Sequence, residues 1–233
     1  MSLETHLEDQ LSDRYERFFW HRLRWRAVAR SVPSTGPVSV LDLGAGSGVI
    51  GRFIRRDRPR ASYFFHEPIP QLAAHLETVF GETANAAKAE DYRGMDVVLA
   101  LDVFEHLEDD AALVRDLHAR MRPGARLVCT VPAGPRLWSD WDRQLGHQRR
   151  YTRRSLLGLL SATGFSPRRC RHLFPEMVPM ALYRKLVIRE SPSEFPPVPR
   201  WLNALLYATG CLTQSVCRPL PIGTSLLATA TRP

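Results

Sequence analysis

The stretch VSVLDLGAGSGVIG, residues 38–51, constrains this chain more than any other. Residues 38–43 are a short apolar run, the pattern of a strand buried on both faces in a parallel sheet. Gly44, Ala45, Gly46 and Gly48 follow at once, and Asp42 stands two residues before the first glycine. Glycine lets the backbone turn sharply and approach a ligand closely. The amides that open the next helix then face the bound group. A dinucleotide fingerprint needs Gly-x-Gly-x-x-Gly, and the third position of that pattern is residue 49, a valine. The observed spacing, Gly-x-Gly-x-Gly, argues against a nicotinamide-linked oxidoreductase.

The rest of the chain alternates in the same way. Helix is expected over 5–31, and Pro33, Gly36 and Pro37 break it. Helices are then expected over 48–56, 69–80, 109–121 and 153–163. Strands are expected over 61–66, 96–101, 125–131, 165–174 and 223–231. Strand–helix alternation argues for a doubly wound α/β sheet. The expected organisation is a single domain, 1–233, with a helical cap over 1–36 and a core over 37–174. A helical insert, 175–222, precedes a terminal strand at 223–233.

Charge is uneven. The formal net charge is +8, yet residues 143–200 alone hold twelve Arg or Lys against three Glu. Such a segment suits nucleic acid, anionic lipid or a phosphorylated substrate, or is simply a solvated surface. No nucleic-acid module is recognisable, so nucleic acid is not an expected partner. The four cysteines form no Cys-x-x-Cys pair, which argues against a zinc site and for reduced thiols. The first residues, MSLETHLEDQ, lack the pattern of a signal peptide. A cytoplasmic location is expected, with membrane-peripheral contact as the alternative.

Asp-x-Gly-x-Gly-x-Gly after a first strand resembles motif I of class I S-adenosylmethionine-dependent methyltransferases. The resemblance covers about 18–173 and resumes weakly at 221–232. It implies a Rossmann-like seven-stranded sheet, order 3-2-1-4-5-7-6, with the seventh strand antiparallel. It also implies S-adenosylmethionine as cofactor and S-adenosylhomocysteine as product, with Asp42, Gly44, Ala45, Gly46 and Gly48 at the methionine end. Glu67, 19 residues past Gly48, would take the ribose hydroxyls. In KAEDY, 88–92, family members often carry Asp-Ala against the adenine. Lys88 departs from that pattern, leaving Ala89, Glu90 and Asp91 to fill the role. LALDVFEHLEDD, 99–110, resembles the corresponding segment in the group that includes ubiquinone-pathway O-methyltransferases. Leu101 and Asp102 would line the cofactor, and Glu105 and His106 would open the next helix, with His106 toward the acceptor. In FFWHRLRWRAV, 18–28, Trp20 and Arg24 match an aromatic–Arg helix, and an Arg there can pair with the cofactor carboxylate.

The segment 131–156 crosses the sheet edge where ligands of open α/β sheets bind. Trp138, Trp141 and Tyr151, with Arg150, are candidates to wall an acceptor pocket. Its Gly-His-x-Arg-Arg-Tyr resembles the substrate-side loop of this methyltransferase group. Transfer to oxygen needs a proton removed, and imidazole titrates near neutral pH, so His147 is the candidate base. Asp142 or Asp140 would orient it or replace it. No Asn/Asp-Pro-Pro-Tyr/Phe motif follows the strand at 96–101, and no metal-carboxylate set of the catechol-methylating kind is present, so no metal is expected. The expected activity is methyl transfer to a small or lipid-like acceptor, most readily on oxygen. The alternatives are C- or N-methylation and a non-catalytic cofactor-binding protein of the same fold. For 175–222, with Arg184, Lys185 and Arg189 beside Trp201, Leu205 and Tyr207, three readings stay open: membrane contact, a lid, or dimer or core packing.

Overall fold

The computed structural model describes residues 14–86, 92–187, 198–216 and 220–233. Six strands form one sheet: β1 (Val38–Leu43), β2 (Ala61–His66), β3 (Val97–Leu101), β4 (Arg126–Pro132), β5 (Ser166–Leu173) and β6 (Ser225–Thr231). Their order is β2-β1-β3-β4-β6-β5. β1 pairs in parallel with β2 and β3, and β3 with β4, whereas β6 runs antiparallel between β4 and β5. The last strand is therefore inserted antiparallel inside the edge, as the resemblance implied. The expected seventh strand is not formed among the described residues. Beyond β2 there is one parallel bridge, Phe65 to Asn85, and Ala86 N donates to Phe65 O at 2.7 Å. The short polar run GETAN before it offers no apolar alternation to extend that ladder.

Helices cover both faces: α1 (Arg14–Arg17), α2 (Phe19–Val28), α3 (Val49–Asp57), α4 (Pro70–Phe80), α5 (Asp110–Arg120), α6 (Asp140–Gln144), α7 (Arg153–Ala162), α8 (Val178–Val187) and α9 (Arg200–Val216). Alternate side chains of each strand point to opposite faces. Val40, Leu99 and Val128 meet Leu23, Phe53 and Ile54 on one face, while Leu41, Val98 and Leu127 meet Leu117, Leu156 and Leu160 on the other. This double burial is why β1, β3 and β4 read as apolar runs, while β5 at the sheet edge carries Arg168, Arg169 and Arg171.

The helix expected over 5–31 is interrupted at Phe18, whose backbone is extended. Phenylalanine cannot cap a helix. The oxygen of the Asn203 side chain accepts from Phe19 N at 2.8 Å instead, and its amide donates to Arg17 O at 3.0 Å. Asn203 belongs to α9, so the insert caps the N-terminal helix. The two helices pack closely: Gln214 Nε2 donates to Leu23 O at 2.9 Å, and the Arg22 guanidinium lies 3.6 Å from the Tyr207 ring centre. Gly210 is buried at their contact, and a Cβ there would overlap the Leu23 side chain.

One buried pair locks β1 to β2 beneath the glycine turn. Tyr63 donates its hydroxyl to Asp42 Oδ2 at 3.0 Å, and Asp42 is 2% exposed. Burial pushes the Asp42 carboxyl up to about 7, against the Tyr63 hydrogen bond and the Arg24 charge, which pull it down.

Gly210→Ala should lower stability by about 1–3 kcal/mol in urea unfolding, since the added methyl overpacks the α2–α9 contact. The raised Asp42 pKa predicts a pH dependence. The folded protein keeps a proton on Asp42 that the unfolded chain releases from about pH 4 upward, so stability falls as pH rises toward about 7. Between pH 5 and 8 this loss should be on the order of 2 kcal/mol for the unliganded protein, and Asp42→Asn should flatten it. Thermal or urea unfolding of both proteins across that range checks the sign.

Candidate functional site

The carboxyl ends of β1, β2, β3 and β4 meet at one edge, and the candidate residues gather there. Gly44, Gly46 and Gly48 all have positive φ (67°, 56° and 74°). A Cβ on Gly48 would lie 2.5 Å from Leu76 Cδ2, and one on Gly44 2.9 Å from Val103 Cγ2. A side chain at either position would force the turn away from the sheet. Gly44, Ala45 and Gly46 are half-exposed between buried flanks, so the turn presents backbone to the edge. Its amides are oriented by β2: Gly44 N donates to His66 O at 2.8 Å, and Gly46 N to Glu67 Oε2 at 2.7 Å. The other Glu67 oxygen accepts from Ile69 N at 2.9 Å. Burial raises the Glu67 pKa despite these two amides. Glu67 therefore ties the glycine turn to the chain after β2. Asp42 lies below the turn, bonded to Tyr63.

At the end of β3, Leu101 is buried and Asp102 turns into the left-handed region (φ 58°). A non-glycine residue there is strained, and surrounding contacts must hold it. Three do so. Asp102 N donates to Thr130 O at 2.9 Å, its Oδ1 accepts from Thr130 Oγ1 at 2.8 Å, and its Oδ2 pairs with Arg24 Nη1. Arg24 also lies 3.0 Å from His21 Nδ1 through Nη2. Burial, then the Arg24 charge, holds His21 well below the usual imidazole range, so it is neutral. Arg24 Nε is buried without a hydrogen-bond partner. Trp20 stacks on Phe174, ring centres 4.1 Å apart.

The loop after β4 brings the second half of the site. Asp142 is fully buried. Its Oδ2 accepts from Ser139 N at 2.9 Å and its Oδ1 from Arg150 Nε at 2.7 Å. His147 Nδ1 lies 3.1 Å from the same Oδ1. Burial pushes the Asp142 carboxyl up, but the His147, Arg150 and Ser139 donors together outweigh it and hold the pKa below the ordinary value. An ionised carboxylate only accepts, so His147 carries its proton on Nδ1 and leaves Nε2 as an acceptor. The loop is anchored by Gln148 N, which donates to Glu105 O at 2.6 Å. This brings the His106 and His147 rings edge-on, 4.8 Å apart.

Glu105, His106 and His147 each offer a ligand atom within 4.8 Å of the others, a set that can hold a cation. Glu105 is fully buried, and neither side-chain oxygen has a hydrogen-bond partner. Burial, then repulsion from Asp102, pushes its pKa well above the usual range. The sequence reading placed Glu105 only at a helix start. Its neighbour His147 is 42 residues away in sequence, so no local spacing signals the cluster.

The remaining expectations separate clearly. Asp140 pairs with Arg143 on the exposed side of α6, and Asp142 is the carboxylate that reaches His147. Arg150 serves Asp142 and donates to Ala133 O at 3.1 Å. Tyr151 lies in the core, its hydroxyl donating to Asp110 Oδ2 at 2.6 Å, so it frames the loop rather than walling an open pocket. Trp138 and Trp141 are half-buried, and the Arg184 guanidinium lies 4.3 Å from the Trp141 ring centre. Ala89, Glu90 and Asp91 lie outside the described residues.

Known proteins agree with this architecture. A chain of S-adenosylmethionine-dependent methyltransferase from Mesorhizobium loti is 19% identical, with a TM-score of 0.59, covering 90% of this chain and 98% of that one. Phosphoethanolamine N-methyltransferase 2 of Haemonchus contortus, in complex with S-adenosyl-L-methionine, is 16% identical with a TM-score of 0.62, covering 96% of this chain and 58% of that one. A SAM-dependent methyltransferase from Archaeoglobus fulgidus is 16% identical with a TM-score of 0.56, covering 91% and 94%. At these identities the likeness is one of fold. No curated protein compared with the chain matches it. Residues 4–169 match the family described as Methyltransferase domain, and that span is more than half of the sequence. The chain belongs to the methyltransferase-domain family.

Proposed function

We propose that this chain transfers a methyl group from S-adenosylmethionine to an oxygen of a small or lipid-like acceptor, with His147 as general base. The observation that carries this reading is the buried, ionised Asp142 bonded to His147 Nδ1 at the sheet edge. That pairing fixes the tautomer and leaves Nε2 free to accept a proton. When bound, S-adenosylmethionine supplies an already activated methyl on a sulfonium, so alignment of the acceptor is the main demand on the protein.

The residues present fit that donor. The half-exposed turn at Gly44–Gly46 presents backbone to the edge, with positive φ at both glycines. Glu67 stands beside it as the acceptor for ribose hydroxyls. Arg24, with its buried unpartnered Nε, suits the carboxylate of the methionine end, flanked by Trp20, Leu101 and Asp102. Across the edge, His147 takes the acceptor's hydroxyl proton at Nε2, and the oxygen keeps the electron pair for bond formation. Asp142 holds the ring and balances its positive charge, while Arg150 and Ser139 hold Asp142. His106 and the two half-buried tryptophans, Trp138 and Trp141, line the acceptor side.

His147→Ala should lower turnover about 100-fold or more while leaving S-adenosylhomocysteine affinity unchanged, measured by single-turnover kinetics and calorimetry. Unchanged turnover would remove His147 as base and favour an acceptor that needs no proton abstraction. Gly46→Arg should weaken S-adenosylhomocysteine binding by about 100-fold or more, because the side chain fills the turn. Wild-type affinity in that variant would contradict the placement of the donor.

A further inference from the structure

Every large hydrophobic side chain that is exposed among the described residues falls between Met180 and Ile222. Leu186, Val187, Trp201, Leu212 and Val216 are each at least 60% exposed. α9 packs Leu206, Tyr207 and Cys211 against the core, yet it leaves a second apolar face exposed. Asn203, Thr213 and Gln214 point inward and are bonded to Phe19, Glu176 and Leu23. Trp201, Leu205, Leu212 and Val216, at helical spacing, point outward. A helix of 17 residues is about 25 Å long, so this is a sustained apolar face rather than scattered exposure.

Among the described residues, the two helices carry charge of one sign. Neither α8 nor α9 contains an acidic residue, and they carry Arg184, Lys185 and Arg200. A groove beside the first turn of α9 is lined by Arg17, Arg22, Arg56 and Arg200, against Glu16 alone. A second copy of the chain on a two-fold axis would bring basic rim against basic rim. An anionic bilayer neutralises the rim and takes up the apolar stripe together. No described helix is long and apolar enough to cross a membrane, and the inward polar side chains of α9 are already bonded to protein. The helix is built to lie in an interface.

We propose that α8 and α9 seat this protein on the surface of an anionic phospholipid membrane, with the acceptor loop turned toward the bilayer. The second part follows from contact. Arg184 on α8 covers Trp141, and Lys185 Nζ donates to Arg136 O, so α8 lies directly against the loop that carries His147. An acceptor lodged in the bilayer then reaches the site without crossing water. This part rests on the functional reading above; the membrane seat itself does not.

Co-sedimentation of the full chain with vesicles of phosphatidylcholine, alone or with about one-third phosphatidylglycerol, tests the proposal without methyl donor. The anionic vesicles should bind at least about tenfold more tightly, and added salt should weaken that binding. Leu205→Glu with Leu212→Glu should lower it by at least about tenfold, with the circular dichroism spectrum and S-adenosylhomocysteine affinity retained. If that double variant does not fold, Leu212→Ser gives a milder test on the same face, with a smaller loss expected. The proposal is overturned if the wild type ignores anionic vesicles, or if the folded variants bind as tightly as the wild type. It is equally overturned if sedimentation velocity shows a stable dimer that the outer-face variants dissociate, since a second copy would then cover the face. Vesicle binding and turnover are separate readouts, so failure of one leaves the other standing.

Discussion

A carboxylate withdrawn completely from water must be met by donors or charges, and Asp142 meets this condition with three groups that the chain supplies from different places. Ser139 is local, on the turn into α6. Arg150 and His147 come from beyond α6, and Arg150 is held at the end of β4 through Ala133. The loop between β4 and α7 owes much of its shape to this one anion. It also decides which His147 nitrogen carries the proton and where the ring stands beside His106 and Glu105. Removing the charge would leave an arginine buried without its partner and an imidazole free to rotate.

A comparable logic holds the end of β3. Asp102 is strained, and Arg24 and Thr130 keep it so. Arg24 sits on α2, whose first turn is capped by Asn203 and whose middle is packed by α9. α2 of the N-terminal cap and α9 of the insert thus form one unit resting beside the carboxyl edge of the sheet. Asn203, Thr213 and Gln214 of α9 are used in that docking, and Trp201, Leu205, Leu212 and Val216 are left on its outer surface. The three readings of the insert left open by sequence are narrowed accordingly. Among its described residues, part is core packing and part is an exposed apolar surface beside basic side chains.

Much of the fold was legible before any coordinates. The strands at 38–43, 61–66, 96–101, 125–131, 165–174 and 223–231 are all present within a residue or two. β1, β3 and β4 read as apolar runs because both their faces are buried, whereas β5, SPRRCRHL, is an edge strand with exposed arginines. The glycine turn was legible because three positive-φ positions so close together call for glycine. The seventh strand was inferred from resemblance and not from residues, and only a single bridge stands in its place among the described residues. The break at Phe18 was hidden because nothing within the local sequence caps the following helix, and the cap comes from 184 residues away.

Sequence alone determined the alternation of elements, the cradle at 44–48, and the presence of a basic aromatic loop after the fourth observed strand, since each depends on backbone conformation and local hydrophobic period. Tertiary structure decided the rest. It chose Asp142 over Asp140, drew Tyr151 into the core, placed Glu105 beside two histidines, and turned Asn203, Thr213 and Gln214 of α9 inward. Those outcomes depend on which distant groups meet a buried charge or an unsatisfied amide. Neither quantity is written in any window of neighbouring residues.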